Sequence, residues 1–154
     1  MMIDYDTFKD DLPQYRSNFI HYRDLVLEKV SNETYRYRRY SLEFGCMLIY
    51  ASEPLDFEIC ANMVRQTDNV YMLEENLMLV VFENVNAEQA LKAAQNVLHT
   101  YQNWYPKKKF YASVAPIEQE ETAIDIASRL FIILEYAVKY SIINDVVDMG
   151  QMRI

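Results

Sequence analysis

Hydrophobic positions along the chain alternate between helical and extended spacing. From Gln14 to about Val30 they recur at helical intervals, with Tyr15, Phe19, Tyr22 and Val26 on one stripe and Ile20 and Leu25 beside it. That spacing predicts an amphipathic helix. Ahead of it, residues 4–12 read as a short acidic helix stopped by Pro13. Behind it, Ser31-Asn32-Glu33 predicts an interruption or a second cap, and Thr34–Tyr40 a further helix ending near Ser41. Glu43–Ala51 is an apolar run of strand length, as in a central strand covered on both faces. Pro54 then opens a predicted helix over Leu55–Gln66, with Phe57, Cys60, Met63 and Val64 inward.

The next stretch reads as a hairpin: a strand over Asn69–Leu73, a polar turn at Glu74-Glu75-Asn76, and an apolar strand over Leu77–Phe82. Asn86 and Gln89 have capping-box spacing. They predict a helix to about Asn103 with Ala90, Leu91, Ala94, Val97 and Leu98 on its apolar face. Lys109–Ala115 alternates as a strand, and Thr122 with Asp125 makes a second capping box for a helix to about Tyr140. Ile143–Val147 is expected to form a last short edge strand. After the N-terminal helix the order is β-α-β-β-α-β-α-β, which predicts an α+β, ferredoxin-like or palm-type antiparallel sheet with helices. The helix over 123–140 is apolar almost all round, whereas one sheet face needs a stripe only about 100° wide. Either the N-terminal helix of the same chain or a second protomer must cover the remainder, and a homodimer or protein partner through these two helices is expected.

Composition narrows the picture. The chain has 154 residues, 51% of them hydrophobic, enough for a sizeable core. It has two glycines and four prolines. So few turn formers argue against a β-sandwich and against a Gly-rich phosphate loop. A formal charge of −8 argues against nucleic acid and anionic membranes as partners. The aromatic-basic run Tyr35-Arg36-Tyr37-Arg38-Arg39-Tyr40 therefore reads as a helix C-terminus rather than a single-strand platform. No leader or spanning segment is visible, and a cytoplasmic location is expected. Cys46 and Cys60 read as buried thiols, and His21 and His99 as isolated helix residues. No cofactor and no metal site are expected.

Several segments together resemble one family. Arg38-Arg39-Tyr40 precedes the first strand, Ile59–Asp68 ends in Arg65-x-x-Asp68, and the hairpin follows. Asn84–Ala90, Ala112-Ser113-Val114 and Glu121-Thr122-Ala123 through Ala137 fall in matching order. Residues 35–148 resemble a GGDEF domain, the diguanylate cyclase fold, behind an N-terminal helical segment at 1–34; the GGDEF-like part is taken as 35–154. The resemblance implies a reaction joining two GTP molecules with Mg²⁺ held by carboxylates. The expected positions depart from it. The signature slot holds Glu74, Glu75, Asn76, Leu77 and Met78. Tyr50 and Ser52 stand where metal-binding carboxylates belong. The interval from Tyr50 to Arg65 is too short for the family's two helices and guanine-contacting loop. The resemblance thus implies a degenerate domain without catalytic residues, acting as a regulatory or protein-interaction module. Its alternative is a cyclic di-GMP receptor, because Arg65 and Asp68 match the family's inhibitory product site.

Overall fold

The computed structural model describes residues 19–118 and 121–152, without the side chains of Phe19 and Ile20. The expected helix at 4–12 and the start of the one at Gln14 lie outside the described residues. From Phe19 a single helix, α1, runs without interruption to Tyr40. The expected break at Ser31-Asn32-Glu33 is absent. Ser31 and Thr34 turn their hydroxyls back onto the carbonyls of Leu27 and Val30, at 2.6 and 3.0 Å. This keeps both side chains inside the helical hydrogen-bond pattern instead of capping a new one. Ser41 ends the helix at φ 57° and donates its backbone N–H to Tyr37 at 2.8 Å. Among the described residues, Ser41, Asn84, Ser141 and Asn144 take positive φ, and neither glycine does.

The remaining elements are β1 (Phe44–Ala51), α2 (Phe57–Met63), β2 (Asn69–Glu74), β3 (Leu77–Glu83), α3 (Ala87–Trp104), β4 (Phe110–Pro116), α4 (Ala123–Lys139), β5 (Val146–Val147) and a 3-10 turn at Met149–Gln151. The sheet order is β2-β3-β1-β4-β5. The four longer strands pair antiparallel, as expected, and β5 joins β4 in parallel, so the sheet is mixed. Both expected capping boxes are present, at Asn86 with Gln89 and at Thr122 with Asp125. Helix α2 is shorter than expected. Asp56 caps it, so it starts at Phe57, and Val64 is already extended. Leu55 is consequently buried in the loop, while Phe57 is exposed rather than inward as expected.

Alternation along the strands sorts the core into two layers. Phe44, Cys46, Leu48 and Tyr50 of β1, with Leu77, Leu79 and Val81 of β3, face α1 and α4. Met47, Ile49 and Ala51, with Met78, Val80 and Phe82, face α2 and α3. Every residue of β1 is buried, as a strand covered on both faces requires. Gly45 permits the close approach of α3, since a Cβ there would lie 2.6 Å from that of Ala90. Most of the apolar circumference of α4 is covered within the chain. Val26 and Val30 of α1 are fully buried against it, and the ring of Tyr22 stacks on Phe131 at 6.5 Å. Ile124 and Ile132 of α4 remain outward.

Candidate functional site

The family resemblance directs attention first to the end of β1 and the hairpin tip. Tyr50 pairs with Leu77 across the β1–β3 ladder, so the strand end and the tip are neighbours. The turn is Glu75-Asn76, neither residue at positive φ, and a bulge between Met72 and Glu74 bends β2 into it. The chain after β1 folds directly beneath this tip. Ala51 donates its N–H to the Asn76 carbonyl at 3.1 Å, and Leu55 donates to that of Glu75 at 2.8 Å. The candidate positions separate accordingly. Glu74 and Glu75 are exposed, Ser52 and Asn76 half-buried, and Tyr50, Leu77 and Met78 belong to the core. Glu53, beside Ser52, pairs with Lys108 at 2.9 Å, and that hydrogen bond holds its carboxyl below the ordinary range. Among the described residues no group of three metal-ligating side chains converges.

Arg65 and Asp68 do come together, but in the turn after α2 rather than at the end of a helix. Asp68 closes the turn by donating its backbone N–H to the Arg65 carbonyl at 2.9 Å. Its carboxylate accepts from Arg65 in three ways: from the backbone N–H at 3.1 Å, Nε at 3.2 Å and Nη2 at 3.0 Å. A further N–H, that of Glu83, reaches the same carboxylate at 3.0 Å. The Arg65 guanidinium also donates to the Glu83 carbonyl. The pair therefore ties the turn to the end of β3. The Asp68 side chain is 4% exposed against 55% for Arg65, so the acid is consumed internally while the guanidinium keeps an open edge. Hydrogen bonding to Asp68 raises the Arg65 pKa further above its ordinary value. Beside the pair lies a cavity of about 350 Å³, walled by Phe82, Val85 and Val97 and rimmed by Arg65, Gln89 and Lys92.

Other candidate groups are placed apart from these two regions. His21 and His99 are exposed on α1 and α3. Cys46 and Cys60 are buried free thiols. Burial pushes both thiols up, Cys60 to about 12, which makes them poor nucleophiles. Two clusters were not foreseen from the sequence. Arg129, 8% exposed, donates to Glu121, Glu118 and the Pro116 carbonyl, tying these three residues to α4. Glu33 of α1 is also buried, at 7% exposure, facing Glu83 of β3. Position in the α1 stripe could have exposed it, because Glu33 follows Val26 and Val30 at helical spacing.

No family model and no curated protein matches the sequence. Solved structures do match in fold. The active GGEEF domain of a diguanylate cyclase from Vibrio cholerae superposes with a TM-score of 0.64 at 13% identity, over 84% of this chain and 97% of that one. The GGDEF domain of DgcB from Caulobacter crescentus, in complex with c-di-GMP, gives 0.66 at 8% identity, over 80% and 88%. Diguanylate cyclase SiaD from Pseudomonas aeruginosa, in complex with its activator SiaC, gives 0.67 at 12%, over 82% of this chain and 57% of that one. The chain has a GGDEF-like fold. No helix among the described residues is long and apolar enough to cross a membrane.

Proposed function

We propose that this GGDEF-like domain has no cyclase activity and serves as a regulatory or protein-interaction module. The observation that carries the reading is the closure beneath the hairpin tip. Backbone bonds from Ala51 and Leu55 join the segment after β1 to Asn76 and Glu75. The short α2 of seven residues is the only helix between β1 and β2. A nucleotide triphosphate with its metal needs convergent oxygen ligands and an approachable backbone. Here Tyr50 lies in the core and two exposed glutamates flank the tip, adding negative charge. Incubation with GTP and Mg²⁺ or Mn²⁺ is expected to give no cyclic di-GMP, and Asn76→Asp is expected not to restore it. Product above a buffer control would overturn the reading.

Contact with a partner belongs to the outward sides of α1 and α4, where Tyr35, Tyr40, Ile124, Ile132 and Tyr140 are exposed. Packing of α1 on α4 within the chain supports a partner other than a second copy. The expectation in sedimentation is a single species near 18.3 kDa. It should hold up to about 100 µM, a range in which micromolar self-association is visible. A concentration-dependent dimer would instead assign the helices to a homodimer.

The second reading, a cyclic di-GMP receptor through Arg65 and Asp68, is favoured by the cavity of about 350 Å³ beside them. Its weakness is chemical, because the Asp68 carboxylate is already saturated by donors from Arg65 and Glu83.

A further inference from the structure

Helix α1 crosses the sheet from one end to the other. Tyr22 lies near Glu74 at the hairpin tip, Lys29 sits 5.1 Å from the centre of the Tyr71 ring, and Glu33 reaches Glu83 at the far end of β3. The last of these contacts joins two acids. Oε2 of Glu33 and Oε1 of Glu83 are both sealed from solvent, and neither receives a hydrogen bond from a donor among the described residues. Arg36 Nη1 stands 3.7 Å from Glu33 Oε2, beyond hydrogen-bond range. The two carboxyl groups are nevertheless within hydrogen-bond reach of each other. Two carboxylates cannot hydrogen-bond, since each only accepts; one must carry a proton and donate.

We propose that Glu33 and Glu83 form a proton-operated latch, in which one shared proton holds the C-terminal half of α1 on the sheet and its loss to solvent releases that half.

The surroundings fit this role. Asp68 and Tyr71 of the β2 side and Cys46 of β1 bring no positive charge to the pair. Arg129 and Glu121, from α4 and the loop before it, act on the same region through Cys46 with opposite signs. Glu43, just before β1, is exposed. Arg65 is held by Asp68 and by the backbone carbonyl of Glu83, not by its carboxyl. Arg36 is the favourable cation, and half of its side chain is in water. An open groove of about 480 Å³ lined by Arg36, Arg65 and Glu83 gives the proton a path to solvent. Burial, then the charge and hydrogen bond of Glu33, push the Glu83 carboxyl up to about 7. Glutamate in an unfolded chain titrates near pH 4.3. The folded chain thus holds the proton more tightly. The latch contributes fully below about pH 4 and is lost as pH rises through about 7.

Hydrogen exchange of the full chain tests this, with intrinsic exchange rates divided out. Protection of the amides over 32–40 is expected to fall by up to about tenfold per pH unit between the unfolded-chain value near 4.3 and about 7, the slope of one linked proton, and to level off above 7. The amides of α3 over 94–101 serve as the internal reference and are expected not to follow. Glu83→Gln and Glu33→Gln each replace the shared proton with a permanent amide donor, so either one should keep α1 protected at pH 8. Carbon-detected titration of the wild-type glutamate carboxyls should show one midpoint near 7. Should either variant fail to fold, the other variant and this titration decide. An α1 profile parallel to that of α3, a variant that loses protection as the wild type does, or glutamates that all titrate near 4 would overturn the latch.

Discussion

The two ends of the central strands handle charge in opposite ways. At the Tyr50 end, the acids stay outside: Glu74 and Glu75 are exposed, and Leu77, Met78 and Tyr50 fill the space beneath. At the Phe44 end, the acids come inside: Asp68 and Glu33 are buried and Glu83 is half-buried. Phe44 pairs directly with Glu83, so this is the opposite end of the same β1–β3 ladder. The first end resembles an ordinary protein surface over an ordinary core. The second spends its polar groups on one another. In a GGDEF-like fold the Tyr50 end is where the resemblance places the chemistry, and here apolar packing and backbone pairing occupy it. The difference separates residues whose loss would loosen the fold from residues that could be exchanged freely.

Substitution at matched acids gives the largest expected contrast. Asp68→Ala removes the acceptor for three donors of Arg65 and for the Glu83 N–H, and strands the last of these in a half-buried position. Breaking a buried ionic pair costs about 3–5 kcal/mol. The open edge of Arg65 lets water take up part of that loss, so about 2–3 kcal/mol is expected at this site. Glu75→Ala, exposed at the tip, is expected to change stability by no more than about 0.5 kcal/mol. Urea denaturation of the two variants beside the wild type measures both. Equal effects would erase the distinction between the ends.

Much of this arrangement is legible in the sequence, and what is not has physical causes. The strands, the hairpin and both capping boxes depend on neighbours within a few residues, such as Asn86 with Gln89. Those local rules survive folding. The break expected at Ser31 failed because its hydroxyl has two local options, and a helix already buried at Val26 and Val30 favours the bond back to Leu27. Phe57 was misplaced by the phase of a short helix whose start depends on the Asp56 cap. Arg65 and Asp68 stand three residues apart in the sequence, but their shared partner, the backbone of Glu83, is fifteen residues beyond Asp68. The Glu33–Glu83 contact joins elements separated by two strands and a helix, and glutamate is rarely found buried without a pairing partner. Only the helical stripe through Val26 and Val30 hinted at the inward course of Glu33.

The smallest expected signal comes from adding cyclic di-GMP, and it asks whether the charged end is a binding site as well as a structural knot. The cavity beside Arg65 and Lys92 offers cations to a dianion, and the exposed edge of the guanidinium could meet a phosphate. Guanine recognition also needs an acid with free lone pairs. Asp68 has spent its own on Arg65 and on the backbone of Glu83, and opening that set would cost the same interactions that hold the turn to β3. Calorimetry is therefore expected to show no binding tighter than about 10 µM, about −7 kcal/mol on the affinity scale. A submicromolar heat that Arg65→Ala abolishes would show that the ligand replaces those internal donors. The acids of the Phe44 end would then be recognition groups held ready by the fold, rather than the means of closing it.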